Sequence, residues 1–135
     1  MSDVEYTEWL KFARMDYNGA LKLNTGEDRP YPLICYHCQQ TAEKAVKALI
    51  VRLGEPGGLP KKHDVTFLLN QVKNLVTALD VAIPESVWDA ADRLNRYAIA
   101  PRYPGEIEAG QEEAETAFKD AGEILDWMER ISGQN

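Results

Sequence analysis

The chain has 135 residues, 44% hydrophobic and 27% charged, a length and balance suited to one globular domain and short of what two independent cores need. Its formal net charge of −7 opposes the coating of a polyanion such as DNA, which needs clustered Lys and Arg, but leaves room for a local basic patch that holds one phosphate. No stretch approaches the roughly 20 apolar residues of a bilayer span, no basic-then-apolar leader opens the chain, and two cysteines cannot build a secreted disulfide framework, so a cytoplasmic protein is expected.

Five amphipathic segments follow one another, separated by Pro and Gly clusters. The first runs from about Val4 to Asn24, with Trp9, Phe12, Ala13, Tyr17, Ala20 and Leu21 in one apolar stripe. Asp16 falls inside that stripe, where a carboxylate is costly unless paired. The expected partner is a Lys or Arg of a neighbouring helix, on the polar arc described next or near Arg102.

The second segment spans about Tyr31 to Leu53 and closes at Gly54. At about 100° per residue it puts Cys35, Cys38, Ala42, Ala45, Val46, Leu49 and Ile50 on one side. Tyr36, His37, Gln39, Gln40, Glu43, Lys44 and Lys47 form an arc on the other. A solvated face is commonly plain Glu and Lys. This one adds an aromatic ring, an imidazole and two amides, groups that hydrogen-bond a base, a phosphate or a second subunit. Two readings stay open, a passive polar face and a binding or interface face. The Cys35 and Cys38 spacing invites a metal or redox reading, but both thiols point to the apolar side and no second pair completes four ligands. Core positions are expected, with no metal and no cofactor.

Asp64 is a good N-cap for a third helix carrying Val65, Leu68, Leu69, Val72, Leu75, Val76 and Leu79 inward. Just before it, Lys61, Lys62 and His63 form either an anion-holding corner or an exposed loop with a cap. Pro84 suits the first turn of a fourth helix, with Val87, Trp88, Ala91, Leu94 and Ala98 inward, which Pro101 and Pro104 break. Around its end lie Arg93, Arg96, Tyr97, Arg102 and Tyr103. Arginine forks suit phosphate and tyrosines stack on bases, and equally such a cluster stabilises a helix C-terminus. The last helix runs from about Ala109 to Ile131. Short connections between five such segments predict an all-α, up-and-down antiparallel four-helix bundle with an additional helix, in a single domain over residues 1–135.

Read in order, Phe12 to Ala20, Tyr36 to Ala48, His63-Asp64-Val65, Tyr97 and Arg102-Tyr103-Pro104 resemble the HEPN domain family over nearly the whole chain. The resemblance implies a bundle like the C-terminal domain of kanamycin nucleotidyltransferase, often dimeric. It also implies pairing with a separate minimal nucleotidyltransferase in bacterial and archaeal two-gene modules, some of the toxin–antitoxin type. Many members are ribonucleases marked by an arginine, four to six residues, then a histidine. Here no histidine follows Arg93, Arg96 or Arg102, and Arg29 to His37 is too long a step, so the usual proton carrier is missing and no catalytic residue is assigned. The leading expectation is a non-catalytic module that binds a nucleotide, a nucleotidyltransferase partner, or both. His37, Gln40, Glu43, Lys44, Lys47, Tyr97, Arg102 and Tyr103 would form the site, with Asp16 and His63 in support. Its rivals are an RNase toxin with an atypical site and a dimeric adaptor or antitoxin without ligand.

Overall fold

The computed structural model describes residues 3–54, 59, 63–76, 82–99 and 108–133. They form α1 (Asp3–Leu23), α2 (Tyr31–Leu53), α3 (Val65–Val76), α4 (Glu85–Leu94) and α5 (Gln111–Ser132), with a 3-10 turn at Asn95–Tyr97 after α4 and no strand among the described residues. The all-α helical bundle read from the periodicity is the fold.

Local chemistry sets the boundaries. Pro32 sits in the first turn of α2, where its missing N–H breaks no helical bond, and Gly54 takes a left-handed φ of 77° to cap the end, its N–H reaching Ile50 O and Val51 O. Asp64 caps α3, its Oδ1 accepting from the Phe67 N–H at 3.0 Å. Pro84 stands one position earlier than read, as the residue before the first turn of α4. At the start of α5 the Glu113 carboxylate reaches back to the Gly110 N–H at 2.8 Å, half of a capping box. Helix α4 proper stops at Leu94, short of the prolines, because the chain tightens into the 3-10 turn.

The packing order makes α2 the axle of the bundle, with α1 and α5 as its main neighbours and α3 and α4 also against it. Between Thr41 and Val51 every residue except Lys44 is buried. A helix covered on both sides has no broad solvated face, so Gln39, Glu43 and Lys47 of the polar arc are buried, while Tyr36, His37, Gln40 and Lys44 stay half-buried at its edge. The inward residues named for α3 are buried, apart from a partly covered Leu75, while Leu79 lies outside the described residues. Two residues of the α1 stripe depart from expectation. Phe12 is 47% and Leu21 46% exposed, since α1 packs at the margin of the bundle and its wheel spreads these two side chains beyond the surface α2 and α5 cover. Trp88 and Ala98 are half-buried for a similar reason.

Candidate functional site

Two carboxylates organise the polar arc of α2. Asp16, from α1, accepts from Lys44 Nζ at 2.5 Å through one oxygen and meets His37 Nδ1 at 2.9 Å through the other. Of the two places offered for its partner, the arc and the neighbourhood of Arg102, the arc supplies it. Glu43 holds Lys47 Nζ at 3.1 Å one turn away and His63 Nδ1 at 3.1 Å, and takes a 3.3 Å hydrogen bond from Gln39 Nε2. Gln39 also donates to the His63 carbonyl at 2.8 Å, so α2 grips the chain just before α3 by both side chain and backbone. Gln40 donates to Gln39 Oε1 at 2.7 Å and closes the row.

Aromatic rings of α1 wall the seam. Lys47 Nζ lies 5.5 Å from the Trp9 ring centroid and Lys44 Nζ 6.0 Å from Phe12, distances at which a ring quadrupole attracts a cation. The Tyr36 ring meets His37 edge-on. Access differs sharply along the row. Glu43 and Lys47 are closed off, whereas the side chains of Lys44, His37 and His63 remain 25%, 29% and 71% exposed. The buried members of the arc are thus internally paired rather than solvated, and its half-buried members are Tyr36, His37, Gln40 and Lys44, with exposed His63 beside them.

The described members of the second cluster, Arg93, Arg96 and Tyr97 at the end of α4, have contacts of their own. Arg93 donates from Nε and Nη2 to the two oxygens of buried Asp120, each at 2.8 Å. Tyr97 is only 4% exposed and sits against Cys35, with the Arg96 guanidinium 5.4 Å from its ring centroid. Tyr97, one of the two rings offered for stacking on a base, is packed instead into the bundle, where hydrophobic burial outweighs exposure for stacking. A cleft of about 430 Å³ opens here between α4 and the start of α5, lined among others by Arg93, Arg96, Glu112 and Asp120. Arg102 and Tyr103, and with them Lys61 and Lys62, lie outside the described residues. Asn95 links the turn to α3, its Oδ1 accepting from the Val65 N–H at 2.8 Å and its Nδ2 donating to Asp64 and Thr66 at 2.9 Å.

Both cysteines are buried and free, as the wheel requires, and no metal-holding group of His, Cys, Asp and Glu is found among the described residues. Burial pushes the Cys35 thiol up to about 11 and the Tyr97 phenol up to about 12, and raises Cys38 as well. The ordinary thiol value here is 9.0, so above pH 9 the unfolded chain gives up its protons first. Stability is then full below about pH 9 and is lost as the pH rises towards 11. Denaturant midpoints measured across that window should fall, and a Cys35→Ala variant should fall less. At pH 8 neither thiol should react with a chromogenic disulfide reagent until the protein unfolds.

Residues 6–131 match the family model described as HEPN domain. Among solved structures, TT1696 from Thermus thermophilus is 32% identical with a TM-score of 0.75, over 93% of this chain and 96% of that one. The protein ST0689, described as an archaeal HEPN homologue, is 27% identical with a TM-score of 0.69, over 98% and 99% of the two chains. The tm0613 HEPN domain protein from Thermotoga maritima shares the fold at a TM-score of 0.57 and 22% identity, over 97% and 96%. No curated protein matches the sequence.

Proposed function

The chain belongs to the HEPN domain family, and from that premise we propose that it is a non-catalytic binding module which holds the phosphate of a nucleotide at the seam of α1 and α2. The nucleotide arrives free or is presented by a partner minimal nucleotidyltransferase of a two-gene, toxin–antitoxin type module, the pairing that the resemblance implied. One observation carries the reading: two carboxylates on this seam each hold one lysine and one imidazole, and the outer members of both sets reach solvent.

Stability alone does not call for this arrangement. A buried ion pair is often no better for folding than a well-packed apolar pair of the same volume. What the pairs do supply is position. Asp16 fixes the Lys44 ammonium and turns His37 so that its Nε2 is left over, and Glu43 does the same for His63. An ammonium has three donors, and Asp16 uses one. The others can meet phosphate oxygens without breaking the pair, and a preordered site loses little side-chain entropy on binding. Gln40 adds an amide. Arg102 and Tyr103 are retained from the sequence as the fork and ring that would complete the site. No step of acid–base chemistry is assigned, because no histidine stands at the ribonuclease spacing after any arginine.

Calorimetric titration with ATP, GTP, CTP and UTP tests this, alongside a Lys44→Ala variant whose helical content is checked by circular dichroism. Saturable binding is expected, weakened about tenfold or more in the variant, as one charge-assisted contact is worth roughly 1.5–3 kcal/mol. Absence of heat with all four nucleotides would remove the nucleotide from the proposal and leave a partner-binding adaptor. RNA cleavage that disappears in His37→Ala would sink the non-catalytic reading instead.

A further inference from the structure

The cleft between the end of α4 and the start of α5 has a charge pattern that the pairs within the protein do not use up. Arg93 pairs with Asp120, while Arg96 acts on the earlier Glu113, so the two walls run antiparallel. The Glu113 carboxylate is held below its ordinary range, first by the Gly110 N–H and also by the Arg96 charge. Between these two levels α5 presents the small side chains Thr116 and Ala117, which leave the hollow of about 430 Å³. That is room enough for a small ligand. Arg93 and Asp120 answer each other through two hydrogen bonds. The remaining charged groups of the lining are Arg96, Asp92, Glu112 and Glu113, all exposed. The side chains of Arg96, Asp92 and Glu112 have no hydrogen bond or ion pair among the described residues. The Tyr97 ring steadies the Arg96 guanidinium from 5.4 Å and takes none of its five N–H donors.

We propose that this cleft binds a free basic α-amino acid, with its carboxylate on the Arg96 fork and its two cations on Asp92, Glu112 and Glu113. Charge chooses the class. With the Arg93–Asp120 pair set aside, the walls carry one guanidinium against three carboxylates. A polyphosphate would meet three like charges there, in a chain that already bears −7. A simple carboxylic acid would meet the same repulsion with one attraction to offset it. A bare polyamine would suit the carboxylates but would face the Arg96 cation with nothing to set against it. An α-amino acid carries both signs on neighbouring atoms, and a basic side chain adds a second cation for the remaining carboxylates. The guanidinium fork matches a carboxylate through two parallel N–H bonds, which fixes the orientation of the ligand. Thr116, one turn after Glu112, adds a hydroxyl between the two ends of the cleft. Because these walls are exposed, solvent screens each contact, and the affinity should be modest and should fall with added salt.

The proposal stands apart from the nucleotide reading, since the lining of the cleft includes none of the seam residues His37, Gln40, Lys44 and His63. Calorimetric titration of the full chain tests it, with L-arginine and L-lysine set against agmatine and cadaverine, the same molecules without the carboxylate. L-Glutamate serves as the acidic control. The variants are Arg96→Gln and Glu112→Gln, both at exposed positions, so the fold should persist, and far-UV circular dichroism checks this. Saturable binding of at least one of the two basic amino acids is expected, about tenfold tighter than its decarboxylated counterpart, with none for glutamate. Arg96→Gln should bring the amino acid down to the level of that counterpart and leave the counterpart no weaker. Glu112→Gln should weaken both, and Lys44→Ala should weaken neither. Failure of both basic amino acids to bind at millimolar concentration overturns the proposal. So does equal binding of the decarboxylated forms by the wild type, or an amino-acid affinity that Arg96→Gln leaves unchanged.

Discussion

Replacing Glu43 with alanine should lower the free energy of unfolding by about 3–5 kcal/mol, the range found when one partner of a buried ion pair is removed. Glu43 is 3% exposed and serves three groups at once, Lys47, His63 and Gln39. Without it the Lys47 ammonium stays enclosed beside the Trp9 ring, and an uncompensated buried cation costs more than the lost attraction itself. Gln39, fully buried, loses an acceptor, and the segment before α3 loses its side-chain anchor. Removing both charges should be milder. A Glu43→Leu/Lys47→Met double variant buries no charge, and its loss should be well under the sum of the singles, perceptible in a double-mutant cycle. Urea unfolding followed at 222 nm measures each variant. If Glu43→Ala cost only about 1 kcal/mol, the value of an exposed pair, water would have to enter the seam, and the rigid placing of cations on which the phosphate site depends would go with it.

The same residues show how much could be read beforehand. A carboxylate inside an apolar stripe is visible in sequence, and Asp16 was legible on that rule, with its partner left open between the arc and the neighbourhood of Arg102. Asp120 follows the same rule, between Ala117 and Ala121 on the inward face of α5, yet the strong apolar stripe around it masks the signal. The polar arc was legible as an arc but not as an interior. A helical wheel records which residues share a side and nothing about what covers that side. The clue to its covering lay further along, in the nearly unbroken apolar run from Ala45 to Val51, a run suited to a central helix rather than an edge one. The meeting of Glu43 with His63 joins residues twenty apart across a loop and has no local signal at all. Tyr97 illustrates the converse. Its place beside arginines suggested a ligand, but a phenol at the close of a short helix is as well suited to sealing the core, and here it does so.

Arg93 and Asp120 give the second large effect, and its direction runs against intuition. The guanidinium is the exposed partner, its side chain 53% accessible, while the carboxylate side chain is 5% accessible. Cutting the exposed residue should therefore hurt more than cutting the buried one. Arg93→Ala strands a desolvated carboxylate whose two oxygens both lose donors at 2.8 Å, and the expected loss is about 2–3 kcal/mol. The pair itself favours the charged guanidinium, whose pKa is raised chiefly by the hydrogen bond to Asp120. Asp120→Ala lets Arg93 swing into water and puts a good helix former into an apolar stripe, so the change should stay within about 1 kcal/mol. Arg93→Lys should recover only part, as a single ammonium cannot match the fork that engages both oxygens. Equal damage from the two alanine variants, or greater damage from Asp120→Ala, would mean that the carboxylate is hydrated through the neighbouring cleft. In that case Arg93 would be free to serve a ligand there rather than to hold α4 on α5.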